Sequence, residues 1–157
     1  MKYLLGLLSV AIAFGTVLPP VAQAQQIRSI QSSSPQILRS RALGNTHYIT
    51  VNTGANLGLS YLEIVPISNA VELTRGNILV TDLYGRIFNT DISQAGAGIR
   101  INFERPIPPR TALRVVMNNV YDEPRTNARV YKYRVEGRYI GLNQNVPYGI
   151  ASISTYY

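Results

Sequence analysis

In the stretch Ile99-Arg100-Ile101-Asn102-Phe103-Glu104, apolar and polar side chains alternate strictly. Successive side chains of a β-strand point to opposite faces, so this period of two predicts a strand with one buried face. Similar patterns occupy residues 47–52, 61–67, 77–83, 113–118, 131–136 and 150–156, separated by turn-forming residues about every ten positions. A sustained helical period is absent, although a short helical turn near residues 94–97 is possible. The sequence therefore predicts an all-β antiparallel sandwich or barrel.

The segment that follows this stretch, from Arg105 to Arg110, contains three prolines. Proline lacks the backbone N–H that a sheet needs, so we expect a stiff connector that does not pair and that leads to the strand beginning at Leu113. The alternative is a ligand for an aromatic groove.

The N-terminus has the organisation of a secretory signal peptide. One lysine precedes an apolar run from Leu4 to Leu18, and Ala22 and Ala24 give the small-x-small pattern that signal peptidase requires. An uncleaved membrane anchor is the alternative, but the run is shorter than the ~20 residues that span a bilayer. We expect residues 1–24 to be removed after Ala24, leaving residues 25–157.

Residues 25–44 are predicted to form a flexible polar arm, and residues 45–157 a single β-sandwich domain. The arm is rich in glutamine and serine and has only scattered apolar side chains, so it cannot bury much surface by itself. It could also lie on the domain as an extra edge strand, and the sequence leaves both arrangements open.

Composition indicates an exported basic protein. The chain has 15 basic and 8 acidic residues and no cysteine, and the absence of disulfides favours a bacterial envelope or extracellular setting. Nucleic acid is not expected there; lipid headgroups, acidic polysaccharide and cell wall are the anions available. A basic charge can also simply keep a domain soluble.

The chain resembles the exported cyanobacterial family catalogued as domain of unknown function 2808. The resemblance covers roughly residues 44–157 and rests on the strand 47–51, the segment 62–64, the central stretch 101–115 with its proline-bearing link, and the segment 130–137. It implies a single Ig-like antiparallel β-sandwich, of about 7–8 short strands, in the envelope or outside the cell. It implies no activity, because none is established for that family.

The sequence contains no recognisable catalytic or metal-binding pattern. His47 is the only histidine and lies at a predicted strand start, where a structural hydrogen bond is the expected role. Zinc sites need several Cys or His ligands, and none of the eight acids forms a calcium-loop pattern. We therefore predict a protein that is not an enzyme and needs no cofactor. A glycan hydrolase using two of the acids stays an alternative.

Tyrosine and arginine in the C-terminal third are the predicted contact residues, because both types are enriched at interfaces. Alternation places Tyr131 and Tyr133 inward and Lys132 and Arg134 in solvent. The residues nearer to loops are the better binding candidates: Tyr121, Arg125, Arg129, Arg138, Tyr139 and Tyr148.

The predicted function is that of an exported, non-enzymatic envelope or extracellular module that binds an anionic polysaccharide, another envelope component or a protein. One alternative is a structural subunit whose N-terminal arm adds a strand to a neighbouring domain. Another is a small outer-membrane β-barrel.

Overall fold

The computed structural model describes residues 34–67, 73, 77–120 and 129–155. The predicted signal peptide, with Ala22 and Ala24, and the first part of the predicted arm lie outside the described residues. Within the described ranges, no helix has the length and apolar character needed to cross a bilayer.

The described residues form an antiparallel β-sandwich. Its strands are β1 (Gln36–Leu43), β2 (Thr46–Asn52), β3 (Leu59–Pro66), β4 (Ile78–Asp82), β5 (Thr90–Ala95), β6 (Gly98–Ile107), β7 (Ala112–Met117), β8 (Arg129–Tyr139) and β9 (Val146–Thr155). One sheet has the order β1-β2-β7-β4 and the other the order β5-β6-β3-β8-β9. The predicted Ig-like sandwich is confirmed, with nine described strands rather than seven or eight. Because the described strands form two open sheets, the small outer-membrane barrel considered above is wrong.

Strand β1 settles part of the question left open for the arm. Residues 36–43 pair antiparallel with β2 and form the edge of the four-stranded sheet. The hydroxyl of Ser40 also donates to the carbonyl oxygen of Ser152 in β9 at 2.7 Å. This part of the predicted arm is therefore the extra edge strand, and it joins the two sheets along one side of the sandwich.

The core lies between the sheets and consists of the inward positions of the alternating strands. Ile99, Ile101 and Tyr133 are fully buried, and Tyr131 is 4% exposed, which confirms the predicted inward faces. Lys132 is exposed on the opposite side of β8, also as predicted. Burial of such side chains contributes about 1.5–3 kcal/mol each, so the two apolar faces hold the sheets together without disulfides.

Two local predictions were wrong. The segment near residues 94–97 is a hairpin turn, in which Gly96 and Ala97 connect β5 to β6. The proline-rich segment is also partly paired, since β6 continues to Ile107, which lies opposite Leu59 in β3. The ladder skips from Asn102 to Ile107, and this irregularity accommodates Pro106 without requiring its missing N–H.

Candidate functional site

The outer face of the four-stranded sheet brings three arginines together. Ile49 and Val51 of β2 point into the core, so Tyr48 and Thr50 point outward. Arg39 of β1 lies opposite Thr50, and Thr50 lies opposite Arg114 of β7. Directly opposed residues share a face, and these residues therefore form one row on the outside of the sandwich.

A second row runs beside the first. Arg41 lies opposite Tyr48, which lies opposite Val116, which in turn lies opposite Leu79 of β4. The Arg41 guanidinium carbon is 4.9 Å from the centre of the Tyr48 ring, a cation–π contact that holds this arginine against the sheet. We call this surface, with Arg39, Arg41 and Arg114, the basic face.

No carboxylate of the described residues neutralises the charge of the basic face. Among the described residues, Arg39, Arg41 and Arg114 have no ion-pair partner. The one acidic side chain on the four strands is that of Asp82, which is 5% exposed and binds Arg86. The face therefore presents the exposed Arg39 and Arg41 and the half-buried Arg114, with no competing anion on its own strands.

The spacing of these arginines suits an extended anion. Arg39 and Arg114 are two strands apart, about 10 Å at the usual strand spacing, and Arg41 is two residues along β1, about 7 Å from Arg39. A polymer or a surface that carries repeated negative charges can contact all three groups together.

The outer face of the five-stranded sheet differs, because two of its arginines are paired with carboxylates of the same face. Arg100 binds the carboxylate of Glu63 at 3.1 Å, and Arg134 binds that of Glu136 at 2.9 Å. Arg100 also lies over the ring of Tyr61, 4.6 Å from its centre. These arginines are satisfied within the sheet and offer less to an external anion.

The predicted contact residue Arg138 lies on this second face. Its Nε donates to the side-chain oxygen of Asn145 at 3.2 Å, and one terminal nitrogen donates to the carbonyl oxygen of Leu142 at 3.4 Å. The hydroxyl of Tyr61 donates to the same oxygen of Asn145 at 2.8 Å. Arg138 therefore stabilises the β8–β9 connection, and the structure does not bring it to the basic face.

Tyr139 and Tyr148, also predicted as contacts, are interior residues, and the structure corrects this prediction. They are 4% and 7% exposed, and their hydroxyl oxygens lie 2.5 Å apart. Tyr139 donates its proton to the carbonyl oxygen of Thr53 at 2.7 Å, so Tyr148 is the donor between the two tyrosines. Burial raises the pKa of Tyr139 to about 12 and raises that of Tyr148 further. Alternation along β8 carries the inward positions on to Tyr139, which the loop-based interpretation overlooked.

The other predicted contacts are only partly covered by the structure. Tyr121 and Arg125 lie outside the described residues. Arg129 begins β8, where its backbone lies opposite Thr155.

His47 has the structural role expected for it. It is 1% exposed, and its Nδ1 lies 2.7 Å from the hydroxyl of Tyr133. Burial lowers its pKa to about 4, so the ring is neutral at physiological pH. A base sealed in the core cannot reach a substrate, and no described residue joins it in a triad.

The described residues contain no cluster of His, Asp or Glu that could hold a metal ion. A mostly apolar cleft of about 140 Å³ lies at one end of the sandwich, between the Thr53–Leu57 loop and Tyr139. Ligand pockets usually measure about 300–1,000 Å³, so this cleft is small for a cofactor or a sugar substrate.

No protein-family model matches the chain, and no curated protein matches it. Solved structures similar to it include the collagen-binding subdomain of the Enterococcus faecalis surface protein ACE, at 8% identity and a TM-score of 0.46, covering 78% of this chain and 95% of that one. The T6 backbone pilin of serotype M6 Streptococcus pyogenes has 12% sequence identity and a TM-score of 0.47. That match covers 78% of this chain and 35% of the pilin. Self-complemented MyfA, the major subunit of Myf fimbriae from Yersinia enterocolitica, has 10% sequence identity and a TM-score of 0.38. That match covers 78% of this chain and 94% of MyfA. The assignment of the fold rests on the strand order and registers described above.

Sequence reasoning missed the basic face, because its members are far apart in the chain. Arg39 and Arg41 lie in the predicted arm, residues 25–44, and Arg114 lies in the predicted strand 113–118. The pattern Arg39-Ser40-Arg41 does contain a signal, since alternation places both arginines on one side of any strand that they form. Their proximity to Arg114 depends on the sheet order β1-β2-β7.

Proposed function

We propose that this protein is an exported, non-enzymatic module that binds an anionic polymer or surface through the basic face. The observation that carries the proposal is that Arg39, Arg41 and Arg114 share one face with no carboxylate partner among the described residues. Export is supported by the signal-like residues 1–24. The resemblance to the cyanobacterial family stays a prediction.

Arginine suits this role chemically. Its planar guanidinium forms paired hydrogen bonds with carboxylate, sulfate or phosphate oxygens, and its charge persists at any physiological pH. Each contact at an exposed site contributes only about 0.5–1 kcal/mol. Three contacts to one multivalent anion add up, and such binding weakens as salt screens the charges.

The absence of enzymatic activity is part of the proposal. His47 is neutral and buried, and Asp82 already accepts hydrogen bonds from its own hairpin. Glu63 and Glu136 form ion pairs with arginines of the same sheet face. None of these groups combines exposure, a nucleophile and a second catalytic partner.

The test is binding to immobilised dextran sulfate across a salt series. The variant R39A/R41A/R114A should bind roughly 10–100-fold more weakly than the wild type at low salt, from the loss of three contacts. The matched control R105A/K132A/R134A removes the same charge from exposed positions elsewhere and should bind within about threefold of the wild type, because only long-range charge is lost. Equal losses in the two variants would show that binding follows net charge and has no site on the basic face.

Strand addition through the N-terminal segment is the second candidate, favoured by the position of β1 at a sheet edge. Residues 36–43 already pair with β2 of the same chain, so addition to a neighbour would use residues 25–35 or would exchange β1 between copies. Analytical ultracentrifugation over a range of concentrations tests it. A monomer at all concentrations contradicts strand addition, whereas oligomers that disappear when residues 25–33 are deleted support it.

A further inference from the structure

The hairpin that leaves β4 continues the basic face by one further position. Phe88 donates its backbone N–H to the carbonyl oxygen of Val80, and Asp82 donates to that of Arg86, both at 2.9 Å. Ile87 therefore lies opposite Thr81 as an antiparallel bridge. Thr81 lies opposite Arg114, so Ile87 is placed on the same row and the same face as that arginine.

The apolar side chains at this end of the face are unusually exposed. Tyr84 is 92% exposed, Ile87 65%, Leu83 44% and Leu79 36%. We call these four residues the apolar rim. Scattered apolar side chains are normal on a protein surface, but these four fall within residues 79–87, on one edge strand and its hairpin, and such a concentration indicates an interaction site.

The tip of the hairpin is held in one shape by Asp82. One carboxylate oxygen accepts the backbone N–H groups of Tyr84 and Arg86, both at 2.9 Å, and the other accepts Nε of Arg86 at 2.6 Å. The Arg86 side chain is still 82% exposed. The tip is thus a preordered turn that presents an aromatic ring and a cation to solvent.

The outer face of the four-stranded sheet is therefore divided into two halves. Its β1 and β7 side carries Arg39, Arg41 and Arg114, and its β4 side carries Leu79 and Ile87, with Leu83 and Tyr84 in the adjoining turn. A dissolved polyanion would use the arginines and leave the rim in water. The surface of a bilayer uses both, because tyrosine and aliphatic side chains enter the interface while arginines bind lipid phosphates.

We infer that the basic face and the apolar rim together dock on a bilayer surface rich in anionic lipid, with Tyr84 and Ile87 entering the interface. The inference rests on the proposed function and names its partner. Combining a shallow apolar insertion with a basic patch gives stable membrane binding where either one alone is weak.

The first measurement uses the absence of tryptophan from the chain. The variant Y84W provides a single probe at the tip, which is mixed with vesicles of equimolar phosphatidylglycerol and phosphatidylcholine or of phosphatidylcholine alone. We expect a blue shift of its emission, and quenching by lipids brominated on their acyl chains, with the anionic vesicles only. Unchanged emission in vesicles that nevertheless bind the protein would overturn the insertion of Tyr84.

The second measurement separates the rim from the arginines. The variant Y84S/I87S should bind the anionic vesicles at least about tenfold more weakly while binding dextran sulfate like the wild type, since apolar burial is lost and charge is not. The matched control V130S/I150S removes two apolar side chains from the other sheet that are 57% and 58% exposed. It should leave binding to the anionic vesicles and to dextran sulfate unchanged.

The outcomes distinguish the inference from the proposed function. Binding to dextran sulfate without binding to anionic vesicles overturns the lipid partner and leaves an acidic polymer. Vesicle binding that is equal in Y84S/I87S and the wild type also overturns it. A wild type that binds neither dextran sulfate nor vesicles contradicts the proposed function itself.

Discussion

Nδ1 of His47 lies 2.7 Å from the hydroxyl oxygen of Tyr133, and both side chains are sealed between the two sheets. The Tyr131 ring also packs against the imidazole in an edge-to-face arrangement, with ring centres 4.6 Å apart. The histidine is held neutral, because burial lowers its pKa from 6.5 to about 4, and burial also raises the pKa of the Tyr133 hydroxyl. This pair links the stability of the fold to pH.

We expect the free energy of unfolding to decrease as the pH falls from 6.5 to 4. In that window the unfolded chain binds a proton at His47 that the folded chain does not, so acid favours unfolding. The neutral His47 makes its full contribution to the free energy of unfolding above pH 6.5. Below pH 4 that contribution, on the order of 3 kcal/mol, is lost. Urea unfolding at several pH values measures it. The variant H47Q separates the effect of the histidine on stability from that of the carboxylates. If the free energy of unfolding depends on pH identically in H47Q and the wild type, His47 is not the group responsible.

The buried tyrosine pair makes a second prediction about stability. Y139F removes the hydroxyl that both donates to Thr53 and accepts from Tyr148, whereas Y148F removes only the donor to Tyr139. Leaving buried polar groups without partners costs about 1–3 kcal/mol. Y139F should therefore lower the free energy of unfolding more than Y148F, by about 1 kcal/mol or more. Equal effects in urea unfolding would show that the bond to Thr53 contributes little.

The carboxylate of Asp82 should control the order of the hairpin tip. In D82A the backbone N–H groups of Tyr84 and Arg86 lose their acceptor, so their amide hydrogen exchange should become faster. Amides of the distant strand β8 serve as the internal control and should be unchanged. The bonds to Arg86 lower the pKa of Asp82, so the tip should keep its protection in mildly acidic solution. Protection of Tyr84 and Arg86 unaltered in D82A would contradict this role.

Gly98 should be intolerant of any side chain. A Cβ there would overlap the carbonyl oxygen of Ile64 and lie 2.8 Å from the Cα of Val65, both part of the paired backbone of β3. We expect G98A to lower the free energy of unfolding by about 2 kcal/mol or more, since overpacked backbone must shift.

The neighbouring Gly96 provides the comparison for that experiment. It has a φ of 58° and nothing within 4 Å of its Cβ position, and asparagine tolerates such a conformation. G96N should therefore cost no more than about 1 kcal/mol. Thermal unfolding of the two variants decides between steric contact and backbone conformation as the reason for glycine in this turn.

The sequence by itself determined the class of fold and the inward faces. The alternation of apolar and polar residues is a local property of the sequence. It predicted core positions for Ile99, Ile101, Tyr131 and Tyr133, and the structure confirms them. The same pattern, followed six residues further along β8 from Tyr133, would have placed Tyr139 inside and removed it from the predicted contacts.

Only the tertiary structure decided which strands are neighbours, and with them the site. Arg39 and Arg114 are 75 positions apart in the chain and meet because β2 pairs with β1 on one side and β7 on the other. Strand order depends on how two whole sheets bury their apolar faces against each other, and side-chain periodicity within one strand carries no information about that choice. The sequence thus supplied the arginines, and the sheet order placed them on one face.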